Sequence, residues 1–183
     1  MFLIVVFALT ISACVAPPPS LPCGDIPSTI FKCIGNPKII QARPRDCAST
    51  NQCEALTCVF TKAGWLKDGR VKKEKVISNF NEFARDHPVW SAAVEHVKTT
   101  CLTRDLPPQG IFVNCPAYDI FTCAVASLIK NTPETQWSQS QDCQYPKQFA
   151  AVCPFCPSDC FDSMIPNGSC NACYGFPRSP YIY

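Results

Sequence analysis

The chain has 183 residues, with 16 basic and 14 acidic side chains and a formal net charge of +2. Phosphate binding needs clustered Lys and Arg, so this near-balance without a basic block speaks against nucleic acid as a partner. Fifteen cysteines, and 18 prolines against seven glycines, point to a disulfide-rich chain whose helices are punctuated by proline.

The chain opens MFLIVVFALTISACVA. Its apolar run ends near Ile11, short of the roughly 20 residues a membrane span needs. Small residues follow, and cleavage after Ala16 would set Cys14 and Ala16 at the small-residue positions. Residues 1–16 therefore read as a secretory signal peptide, although no Lys or Arg precedes the run. A rival reading is a bacterial lipoprotein, because ISAC (Ile11 to Cys14) resembles a lipobox. No second long apolar run occurs, so no membrane span is expected after signal removal. Loss of Cys14 leaves 14 of the 15 cysteines (15 − 1), an even set: Cys23, Cys33, Cys47, Cys53, Cys58, Cys101, Cys115, Cys123, Cys143, Cys153, Cys156, Cys160, Cys170 and Cys173. Secreted chains use such sets as covalent staples, in a connectivity that spacing alone does not fix.

Pro17 to Pro22 reads as an extended start. In DIPSTIFKC, Asp25 can cap a helix with Pro27 in its first turn. A helix is expected from about Cys47 to Lys62, stopped at Gly64. The charged run Lys67 to Lys75 reads as a solvated helix start. Val76, Ile77, Phe80, Phe83 and Ala84 then form an apolar stripe ending before Pro88. The next helix begins at Pro88, with Trp90, Ala93, Val94, Val97 and Cys101 on one face. Pro107, Pro108 and Gly110 break the chain. Pro116 opens a helix with Tyr118, Phe121, Val125, Leu128 and Ile129 on one face. Thr132-Pro133 starts a short helix carrying Trp137, and Pro146 starts a last one with Phe149 and Val152. Ile111 to Asn114 is the only strand-like run. The expected fold is all-α: a compact, disulfide-stapled bundle of six or seven short helices around an apolar cavity. Residues 17–153 form the helical domain, and 154–183 an irregular Cys/Pro-rich extension packed on it.

That extension contains CPFC and CNAC, Cys153-Cys156 and Cys170-Cys173, with 13 residues between the pairs. This is near the spacing of a four-thiolate zinc site. Cys160 interrupts the pattern, and the signal peptide implies an oxidising compartment. Disulfides are therefore expected, with no metal and no cofactor. Asn167-Gly168-Ser169 is a glycosylation sequon with Asn167 as acceptor. The only histidines, His87 and His96, fall into no metal or nucleophile motif, so no enzyme is expected. They read as helix-surface residues that could tune pH-dependent release.

The segment CVFTKAGWLKDGRVKKEKV (Cys58 to Val76) is similar to a stretch of insect odorant-binding proteins. There a cysteine ends a helix, and a Gly-containing turn and a hairpin-like Asp-Gly turn lead into the next helix. The 42 residues from Cys58 to Cys101 and the pair Cys115, Cys123 in NCPAYDIFTCAVASLIKNTP also fit. The surplus cysteines and Cys153-Pro154 resemble the Plus-C subgroup. Two spacings depart from the family pattern: four residues lie between Cys53 and Cys58, and seven between Cys115 and Cys123. The resemblance implies the pairs Cys33–Cys58, Cys53–Cys115 and Cys101–Cys123.

It also implies a secreted carrier of small hydrophobic ligands, such as odorants or pheromones, held in an internal pocket. A chemosensory receptor or a second copy of the chain are the macromolecular partners it allows. Pocket sites of this type are mainly apolar and aromatic. The lining candidates are Phe60, Trp65, Phe80, Phe83, Trp90, Val94, Val97, Tyr118, Phe121, Val125, Leu128, Trp137 and Phe149. The alternative function is a secreted protease inhibitor or interaction module, suggested by the cysteine-dense tail.

Overall fold

The computed structural model describes residues 21, 23, 26–35, 45–104, 106–107, 109–110 and 114–155. The expected signal peptide, Asp25, residues 111–113, Cys156, Cys160, Asn167, Cys170, Cys173 and all of the 154–183 extension except Pro154 and Phe155 lie outside them.

The described chain is mostly helical: α1 (Ile30–Cys33), α2 (Gln52–Lys62), α3 (Lys73–Asp86), α4 (Ser91–Cys101), α5 (Pro116–Lys130) and α6 (Gln144–Val152). Two short strands, β1 (Leu66–Lys67) and β2 (Arg70–Val71), form one antiparallel hairpin, so the all-α expectation holds only approximately.

Helix α2 starts later than the expected Cys47. Residues Arg45–Cys47 form a separate 3-10 turn. Asn51 is the true cap: its side-chain oxygen accepts from the backbone N–H groups of Cys53 (2.8 Å) and Glu54 (3.2 Å). The Ser49 hydroxyl accepts from the Asn51 N–H and donates to the Glu54 carboxylate. A capping box is thus closed through a third residue.

At the other end Gly64 stops the helix. It has φ +69°, a left-handed conformation open to glycine at little cost. Gly64 N–H bonds Thr61 O at 3.0 Å, and Trp65 N–H bonds Phe60 O at 2.8 Å. These are the two hydrogen bonds of a Schellman stop, and its usual apolar contact is present too. The Phe60 and Trp65 rings meet edge to face, 5.2 Å between centroids.

The charged run is not a helix start from Lys67. Asp68 (φ 52°) and Gly69 (φ 70°) are both left-handed, as a two-residue type I′ turn requires. Leu66 pairs with Val71 and Lys67 with Arg70. Only after this turn does α3 begin, at Lys73.

Three further elements differ from expectation. Trp137 follows the 3-10 turn Glu134–Gln136 in extended conformation and bridges Ile34; it is not on a helix. Helix α6 begins at Gln144, behind a 3-10 turn over Gln141–Cys143, with Pro146 inside its first turn. Val152 points to solvent at 66% exposure, so it is not part of the α6 apolar face.

Helix α5 is the hub. It packs against α2, α4, α6 and β2, while α3 packs on α4 and α1 on α6. Among the described residues five disulfides tie this arrangement: Cys23–Cys153, Cys33–Cys143, Cys47–Cys58, Cys53–Cys115 and Cys101–Cys123. The expected Cys33–Cys58 bridge is not formed. Packing of α1 on α6 sets Cys33 against Cys143 (Cα–Cα 5.4 Å). Cys58 is met instead by Cys47, from the 3-10 turn only 11 residues upstream. On chain-entropy grounds a loop that short contributes about 3 kcal/mol, and one of 130 residues, as for Cys23–Cys153, about 5 kcal/mol.

Candidate functional site

Two apolar clusters fill the described chain. The first lies among α2, the hairpin, α3, α4 and α5, and buries Phe60, Trp65, Phe80, Trp90, Val94, Val97, Tyr118 and Leu128. Phe83 and Phe121 pack against it and stay partly exposed. Trp65 satisfies its indole N–H with the Asn79 side-chain oxygen at 3.2 Å, as a buried indole needs. The second cluster joins α1, the end of α5 and α6. It holds Trp137, with Val125 packed against it. Phe149 is fully buried, with its ring edge-to-face against Phe155. The expected lining residues therefore do not surround one space. Val125, Trp137 and Phe149 lie on the other side, because α5 turns two faces to the clusters: Tyr118, Phe121 and Leu128 go with the first, whereas Val125 and Ile129, expected on the same face, go with the second.

A cavity of about 280 Å³ opens where the hairpin, the start of α3, the segment after α4 and the start of α5 converge. Its lining is Gly69, Arg70, Val71, Lys73, Arg104, Leu106, Pro116, Asp119 and Ile120. None of the expected lining residues is among them. Ile120 is buried in the first cluster, and Val71 and Leu106 pack against that cluster. The floor of the cleft is thus the edge of the main core. Among the described residues its lining carries Arg70, Lys73 and Arg104 and one carboxylate, Asp119.

Each rim residue is placed by local structure. The type I′ turn swings Arg70 back beside Lys67. The Lys73 ammonium donates to the Thr103 carbonyl and so joins the start of α3 to the segment carrying Arg104. Asp119, in the first turn of α5, accepts from the Gln109 N–H at 2.6 Å. Pro116 opens α5, where its missing N–H costs nothing. Behind the cleft, a methyl group at buried Gly110 would collide with the Tyr118 ring, so glycine allows the loop to lie on that ring.

The cationic rim escaped the sequence reading. The signal available was Lys-Asp-Gly-Arg inside Lys67 to Lys75, a recognisable type I′ hairpin. Arg104 carried none, because only the tertiary fold brings it to the hairpin. His87 and His96 are both exposed, and the His87 ring lies 4.6 Å from that of Phe83. Among the described residues no group of three His, Cys, Asp or Glu could hold a metal ion, and no helix is long and apolar enough to cross a membrane. No family model, curated protein or solved structure matches the chain.

Proposed function

We propose that the chain is a secreted carrier of small apolar molecules, as the likeness to odorant-binding proteins in Cys58 to Val76 and its cysteine spacing suggest. One observation supports this most: the cleft and the aromatic cluster share Val71, Leu106 and Ile120. A ligand on the cleft floor would touch the side chains that hold the core closed. Helices α2 and α4 are each tied to α5, by Cys53–Cys115 and Cys101–Cys123. For a guest to enter the core their apolar faces would have to part, and those covalent ties would limit that separation. The five bridges are also what an oxidising compartment favours. The reading makes the protein a binder and not an enzyme, acting alone, as a dimer or beside a chemosensory receptor.

The test is titration of the oxidised protein with a fluorescent naphthylamine. Saturable uptake, with displacement by micromolar volatile or lipidic competitors, is expected. Absence of saturable uptake contradicts the carrier reading.

A second reading, an inhibitor or interaction module, has its own observation. Phe31 on α1 and Tyr145 and Val152 on α6 are large and exposed, on two helices that pack together. Exposed apolar groups of this kind suit a protein partner. Inhibition within a protease panel, without probe uptake, would favour it.

A further inference from the structure

We infer that the cleft between the hairpin and α5 selects small amphipathic anions, with the negative group at Arg70, Lys73 and Arg104 and the apolar part on Val71, Leu106 and Ile120. The inference deepens the carrier reading and rests on it for the route into the core. The charge of the cleft is a separate observation.

Among the described residues, three cations and one carboxylate line the opening. Among the described residues neither Arg70 nor Arg104 makes an ion pair. Asp119 already accepts from the Gln109 N–H. Lys73 gives one hydrogen to Thr103, but an ammonium has three. Guanidinium groups present paired donors that match the two oxygens of a carboxylate. The 15-residue helix α5 starts at the cleft with Pro116, and the positive end of its dipole adds to the field there. A neutral hydroxyl could accept a hydrogen bond from one of these groups, whereas a carboxylate would engage several together and gain the charge interaction as well.

Size narrows the class. The cleft has a volume of about 280 Å³. It lies at the lower edge of the roughly 300–1,000 Å³ typical of small-molecule sites. A medium-chain monocarboxylate such as octanoate suits a site of this size.

The test is calorimetric titration of the oxidised full chain with sodium octanoate and, separately, with 1-octanol. Octanoate should bind at least about tenfold more tightly than octanol. Raising the salt from about 0.05 to 0.5 M should weaken octanoate alone. Both arginines are exposed, so the R70Q/R104Q variant should fold normally, as its circular dichroism will report. It should lose about tenfold in octanoate affinity, while R70K/R104K retains most of it. Equal affinity for acid and alcohol overturns the inference. So does an octanoate affinity unchanged in R70Q/R104Q, or the absence of octanoate binding. Naphthylamine uptake by the same variant reports on the carrier reading alone. Uptake preserved with acid selectivity lost supports both proposals. No uptake by either protein, with octanoate still bound, sinks the carrier and leaves the anion site.

Discussion

Gly64 decides how the chain leaves α2. Its φ of +69° lets the Schellman bonds form and brings Trp65 onto Phe60. A side chain there would not clash, since its nearest neighbour would be the Lys75 ammonium at 3.6 Å. Substitution therefore acts through backbone strain, without overpacking. A left-handed non-glycine residue costs roughly 1–2 kcal/mol, partly offset because alanine restricts the unfolded chain. Gly64→Ala should destabilise the protein by about 1 kcal/mol, lowering its Tm by about 2–4 °C. Gly64→Asn should cost less, because asparagine tolerates this region. Thermal unfolding followed by circular dichroism measures both. Equal losses for Ala and Asn would show that sterics, and not backbone conformation, govern the site.

At the scale of elements, the staples determine which helices stay together. Cys33–Cys143 and Cys23–Cys153 bind the N-terminal segment to the α6 region, whereas Cys47–Cys58 only pins a local turn onto α2. Peptide mapping under non-reducing conditions should recover a Cys47–Cys58 peptide pair and a separate Cys33–Cys143 pair. Recovery of Cys33 linked to Cys58 would overturn the packing of α1 on α6.

Much of the helical plan was legible in the sequence. The three- and four-residue spacing of Val76, Phe80 and Phe83 and of Val94, Val97 and Cys101 has a local cause, and α3 and α4 carry these stripes, although Pro88–Trp90 form a 3-10 turn and α4 starts at Ser91, not at the expected Pro88. Boundaries set by side-chain caps were less legible. Cys47 to Thr50 look helical in composition, yet the Asn51 carboxamide starts α2. The hairpin was visible only as a turn motif, because two-residue strands leave no alternation to read. The Cys33 partner was not legible at all, since it depends on α1 meeting α6 across 110 residues. The cleft was partly legible: Arg70 and Lys73 stand within one charged run, but Arg104 and Ile120 reach them only through the packing around α5.

At the scale of the whole molecule, two apolar clusters flank one long helix, and the first of them borders the cleft. The second lies among α1, α5 and α6 and is double-stapled by Cys33–Cys143 and Cys23–Cys153. The first reaches the cleft through Val71, Leu106 and Ile120 and leaves Phe83 and Phe121 half-exposed at its edge. On the proposed carrier reading, a guest seated in the cleft would meet the first cluster. The three tryptophans report on this division, with Trp65 and Trp90 in the first cluster and Trp137 in the second. The most direct test of the carrier account is the change in intrinsic tryptophan fluorescence as an apolar ligand is titrated into the oxidised protein. The account predicts a saturable change that persists in Trp137→Phe and largely disappears in the W65F/W90F variant. A ligand-induced change confined to Trp137, or no saturable change in the native protein, would contradict it.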